Sequence, residues 1–427
     1  MNLVPSFDAA PAYAAPMRFF LTAPAFAVAA AALLAWSGPA ALASRWTPAA
    51  LALTHLVALG FLAMVMAGAM LQFVSVFTGR RLPGGDALAA LVHAALTLGT
   101  PALAVGFLLG SAGWIRGGAL VLGAALAAFI AACAWRLARA RSRDSSLVAI
   151  GHALVSFAVT VALGVTLAVA LGAGAAFPLA TLTDAHAVWG AAGWVLGLVS
   201  AVALRVVPMF QVTPPYPRAI ERGFAPAMFA ALGVWTALEL GGAPAWTRGT
   251  LESLAGAGAA LFAAATLVLL AKRKRRATDA TIAFLQVGMA SLFAASLLWI
   301  GARAAPDIAA SHAYPSALGA LIFVGFGMSV TTGMLYRIVP FLTWLHQSRS
   351  APRAGGAPAP RVLSGVRHAW LHAAGTLLLA LAPLWPEILA RAAAVALACS
   401  AAALAWQLAR YPLALRAASR AASSDRP

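Results

Sequence analysis

The amino-acid sequence predicts an all-α polytopic membrane protein of about twelve spans, built as three four-helix repeats. Three observations predict it. Hydrophobic residues make up 63% of the 427 and charged residues only 9%, with a mean hydropathy of +0.89. Soluble chains carry about 25% charged residues, so this chain has too few charges to cover a water-exposed surface. Apolar runs such as 19–36, 87–109 and 147–171 reach the ~20 residues needed to cross a ~30 Å hydrocarbon core. The third observation is internal self-similarity at a period of about 132 residues.

The apolar runs place spans at approximately 18–36, 48–77, 86–109, 114–138, 147–172, 184–210, 223–243, 250–271, 278–302, 315–343, 366–385 and 387–411. No small-residue cleavage site leads from the first run into a soluble domain, so the run reads as a retained span. The repeat units are approximately 18–138, 147–271 and 278–411, in one membrane domain. Residues 344–365 form a connecting loop that includes the Pro/Gly/Ala-rich linker 350–360.

The formal charge of +18 lies in the gaps between spans, which points to membrane orientation and away from nucleic acid. One side holds Arg18, Arg80, Arg81, Arg136, Arg139, Arg141, Arg143, Arg218, Arg222, the cluster 272–276, Arg349, Arg353, Arg361, Arg367 and four tail arginines. The other side holds only Arg45, Arg116, Arg248, Arg303 and Arg391. Positive residues stay in the cytoplasm during insertion, so both termini are expected there, in a bacterial-type inner membrane. Cys133 and Cys399 lie inside apolar runs and fit neither a disulfide framework nor a metal knuckle.

The repeat is sharpest in the second helix of each unit. Gly60, Gly68 and Ser75 recur as Gly193, Ala201 and Pro208, and again as Gly325, Gly333 and Pro340. Three residues before each closing position stands Gln72, Arg205 or Arg337. The small residues fall within roughly 80° of one another on a 3.6-residue helix, a stripe that lets membrane helices approach closely. Arg205 and Arg337 either snorkel to the interface or bind an anionic group such as a propionate, a quinone head or a lipid phosphate.

Of the eight histidines, His55, His186 and His312 lie toward the side with few arginines. Counted back from Ser75 and Pro208, His55 and His186 differ in depth by only ~3 Å. Helical phase puts His186 about 20° from its glycine stripe and His55 about 140° from its own. The pattern leaves open whether the two face one inter-helix channel or two. Imidazole binds haem iron and copper, and the alternative for each is a hydrogen bond to a neighbouring helix. His312 precedes Pro315 and belongs to a helix start or a loop. His368 and His372, at i and i+4, share one face of the eleventh helix, where Arg367 and Trp370 suggest an interfacial start. His93, His152 and His346 lie toward the arginine-rich side.

Twelve spans in three fours, with a histidine near the outer end of helix 2, resemble subunit I of the haem-copper oxidase superfamily. The resemblance implies that His55 matches an axial ligand of a b-type haem and His186 a histidine of the copper site. It also implies respiratory or electron-transfer proteins as partners, beside the lipid bilayer. The family's paired histidines of helix 7 have no counterpart in 224–240, and its His-x-His pair of helix 10 has none in 315–343. Met328 offers a thioether there. Oxygen reduction is therefore not expected. The chain is more similar to the divergent NnrS-type members, which are associated with haem, copper and nitric-oxide stress. The phrase Gly333-Met334-Leu335-Tyr336-Arg337-Ile338-Val339-Pro340-Phe341 resembles them most.

Two other readings stand beside this one. A secondary transporter would use Arg205, Arg337, Glu239 and Glu252 as a charge relay, although transporters usually show inverted or paired repeats. A cofactor-free scaffold would keep the oxidase fold alone. Phosphate loops, nucleophile elbows and paired intramembrane carboxylates are absent from the sequence.

Overall fold

A backbone without access to water has to satisfy its own hydrogen bonds, and for an isolated span the helix does so. The computed structural model describes residues 6–142, 144–173, 178–274, 277–350 and 365–424, and among them it contains helices and turns but no strand. The chain is an all-α polytopic membrane protein. Eleven helices among the described residues are long and apolar enough to span: α1 (Ala14–Leu42), α2 (Pro48–Thr78), α3 (Gly85–Leu109), α4 (Ala112–Ala138), α5 (Ser145–Leu171), α6 (Leu179–Gln211), α7 (Ile220–Leu240), α8 (Ala245–Ala271), α9 (Ala280–Ala304), α10 (Ala313–Ser348) and α12 (Pro386–Pro412).

Between the last two lies α11 (Val366–Leu381), whose 16 residues fall short of a span. The sequence expects a span over 366–385 here. The helix stops at Leu381, where Pro383 and Pro386 follow without the N–H groups needed to continue its hydrogen-bond ladder. At the other extreme, α10 continues through Pro340 as regular helix to Ser350. It takes up the first residues of the loop expected at 344–365, and residues 351–364 of that loop lie outside the described residues.

Helix α4 packs on α5, and α8 on α9. The same contact joins α12 to α1, so the bundle closes on itself. The second helices carry a shared irregularity. In α2, α6 and α10 the backbone loosens into π-helix over Leu56–Ala63, Trp189–Leu196 and Ala320–Met328. The stretch in α10 contacts those in α2 and α6. Within these stretches the small-residue stripe is needed for close approach. A Cβ at Gly60 would lie 2.4 Å from Phe26 of α1, one at Gly193 2.6 Å from Ser156 of α5, and one at Gly325 2.6 Å from Ser291 of α9.

The core is filled by side chains such as Phe20, Phe61, Phe129, Phe262, Phe284 and Phe326, none of them measurably exposed. Large apolar side chains such as Leu98, Leu261 and Val395 are exposed along the spans. Exposed tryptophans gather at the span ends: Trp36, Trp114, Trp246 and Trp385 at one end of the bundle, Trp135, Trp370 and Trp406 at the other. Two such belts fit the two water–lipid interfaces of a bilayer. The second end also carries the arginine-rich loops and is called the basic end below.

Candidate metal centre

His55 is the last residue of regular helix before the π-helical stretch of α2, and His186 lies three residues before the stretch in α6. Local π-helix re-aims the side chains on either side of it and is common at functional sites. Here two imidazoles from separate spans face each other. Their ring centroids are 6.3 Å apart and their planes differ by 16°.

Each ring is held by a backbone carbonyl. His55 donates Nδ1–H to the carbonyl of Leu51, one turn earlier in α2, at 2.8 Å. His186 donates Nδ1–H across to the carbonyl of Thr160 in α5, at 2.9 Å. A carbonyl can only accept, so both rings are Nδ1–H tautomers and both keep a lone pair on Nε2. Metal-binding histidines need this state: the second nitrogen donates outward and the first stays basic.

The surroundings leave room for the rings. Phe107 of α3 lies 5.0 Å from the His55 ring. Against His186 stands Gly164 of α5, where a Cβ would come within 2.9 Å of the imidazole Cε1. Above the pair, Arg45 of the α1–α2 connection forms an ion pair at 2.5 Å with Asp184, two residues before His186. The nitrogens of two imidazoles on one first-row ion lie ~2 Å from it, which sets ring centroids about 6 Å apart when the donors oppose each other. The 6.3 Å between the two ring centroids is of that size.

The other sequence candidates lie elsewhere. His312 is exposed in the turn before α10 and makes no ring contact with the pair among the described residues. Met328 is buried in the π-helical stretch of α10. Arg205 and Arg337 are at the basic end, each ion-paired with an aspartate just before a helix: Arg205 with Asp144 before α5, and Arg337, at 2.8 Å, with Asp279 before α9. Arg205 is 19 residues beyond His186, roughly 28 Å along α6, too far to touch a group centred on the histidines. No cluster of three or more His, Cys, Asp or Glu side chains forms among the described residues.

Sequence reasoning missed Gly164, Thr160 and the two aspartates. The aspartates precede apolar runs as N-caps do, and Asp279 accepts from the Ile282 N–H. That signal was available in the sequence. Gly164 and Thr160 had none, since nothing in their spacing distinguishes them from packing residues.

A scan of protein-family models and a search of curated proteins found no match to this chain.

Proposed function

We propose that the chain is a membrane haem- or copper-binding protein in which His55 and His186 hold one metal ion between α2 and α6. One observation carries the reading: two near-parallel imidazoles on different spans, each fixed so that Nε2 keeps its lone pair. Paired imidazoles are the axial set of many b-type haems and a donor set that copper accepts. When bound, the metal supplies one-electron chemistry or a seat for a small diatomic ligand.

The chain's own residues do the positioning. The carbonyls of Leu51 and Thr160 fix the tautomers, and the missing side chain at Gly164 leaves the His186 ring its place. Oxygen reduction is not part of the proposal. It needs a second histidine set, and α7 has no histidine while α10 has none before His346 at the basic end. By resemblance, the role is nitric-oxide tolerance or respiratory support in a bacterial-type inner membrane, with both termini cytoplasmic and electron-transfer proteins as partners.

Protein purified from haem-replete, copper-supplied cells tests the reading through its absorption spectrum and elemental analysis. The expected result is a Soret band or bound copper, lost in His55→Ala and in His186→Ala. A preparation with neither haem nor copper overturns it.

A further inference from the structure

A second polar system runs between α10, α11 and α12. Tyr336 donates its hydroxyl proton to Nδ1 of His368 at 2.8 Å, and His368 donates Nε2–H to Oγ of Ser400 at 2.9 Å. Ser400 donates to Nδ1 of His372 at 3.1 Å, and His372 donates Nε2–H to the carbonyl of Val324 at 3.2 Å. The sense of this row is fixed by chemistry. The Val324 carbonyl only accepts, so His372 donates there and accepts at Nδ1. Ser400 has one proton, spends it on His372, and so accepts from His368.

Three features distinguish the row from an ordinary core tie. All four side chains are 9% exposed or less, and each belongs to a residue that can pass a proton on. All four ring nitrogens are engaged, which removes the metal site that the i, i+4 spacing would otherwise suggest. The acceptor at the end is Val324, in the π-helical stretch of α10. One turn beyond His372 on α11, the buried Thr376 hydroxyl has no hydrogen-bond partner.

Among the described residues, the surrounding elements bring no carboxylate to the row. Phe284 of α9 lies edge-on to His368 at 4.9 Å and tilted to His372 at 5.7 Å. On α10, Tyr336 is followed by Arg337, which holds Asp279. From α12 come Ser400 and Tyr411, the latter within electrostatic reach of Tyr336, and α11 carries Arg367 next to His368. His368 is also in the first turn of α11, where the helix dipole opposes positive charge. A proton that enters at Tyr336 ends on Nδ1 of His372, because the Nε2–H of that ring is already held by the Val324 carbonyl.

We propose that Tyr336, His368, Ser400 and His372 form a proton relay that admits one proton from the basic end and holds it on His372. Tyr336 gives its hydroxyl proton to His368 Nδ1 and takes one from water. His368 releases its Nε2 proton to Ser400, and Ser400 passes its own to His372 Nδ1. The sum is one proton taken from solvent and one imidazolium formed, bonded to Val324; only O–H and N–H bonds form and break.

A pH jump from about 8 to about 3, across and below the range in which free imidazoles titrate, tests the relay on the full-length protein in lipid nanodiscs. Infrared difference spectra with labelled histidine report imidazolium formation. An imidazolium signal is expected in the native chain and absent in His372→Gln, whose amide still offers a donor to Val324. Tyr336→Phe and Ser400→Ala should slow its appearance by a factor on the order of ten or more. The proposal is overturned if no histidine signal depends on residue 372, or if both of those variants protonate at the native rate.

Discussion

Asp279 and Asp184 both face an arginine, and their surroundings set very different values on them. Asp279 and Arg337 are 10% and 13% exposed, and the aspartate also caps α9. Asp279→Ala removes at once the cap of α9 and the carboxylate beside a largely buried guanidinium, and is expected to cost about 3 kcal/mol. Asp184 and Arg45 are 44% and 41% exposed, and Asp184→Ala should change stability by about 1 kcal/mol or less. Unfolding of the two variants in detergent compares them directly, and equal losses would contradict this account. At this scale the sequence reveals the titratable groups but not their partners. Arg205 and Arg337 stood out as intramembrane charges, whereas Asp144 and Asp279 are 61 and 58 residues away in the chain. His368 and His372 looked interfacial beside Arg367 and Trp370. They are buried because helical phase turns them inward while Trp370 stays exposed.

At the scale of the element, the π-helical stretches decide where the histidines point. Phase counted at 3.6 residues per turn sets His55 and His186 at different angles to their glycines. That count fails across Leu56–Ala63 and Trp189–Leu196, where the hydrogen bonds run i to i+5. The depth agreement of the two residues was legible because rise per residue is nearly constant, and the common facing was not. Deleting Val57 should restore regular helix in α2 and turn His55 by only about 45° relative to the helix beyond it. Seven residues at about 100° replace eight at about 82°, enough to swing the imidazole off a shared ion. The expected outcome is a protein that inserts and carries no cofactor. Retention of full cofactor in the deletion variant would show that the stretch does not aim the ring.

Over the whole molecule, the hydropathy of the chain points to the all-α membrane fold. Continuous apolar runs of ~20 residues suit spanning helices, whereas a barrel needs shorter strands of alternating hydrophobicity. Sequence spacing also marked the second helix of each unit, and those helices share the π-helical irregularity. It could not foretell that α12 closes on α1, since helices at opposite ends of a chain share no local pattern. The excess of arginine at one end predicts an orientation. In a background lacking Cys133 and Cys399, a cysteine at Trp246 should react with an impermeant thiol reagent in intact cells, and one at Arg81 should not. The opposite labelling would invert the topology and place the histidine pair near the cytoplasm.

The central claim is that one ion sits between two imidazoles from different spans. X-ray absorption at the edge of the bound metal counts those ligands directly. The account predicts two histidine shells in the native protein and one in either His55→Ala or His186→Ala, where the metal is retained at all. A metal whose coordination is the same in both variants as in the native chain would contradict it.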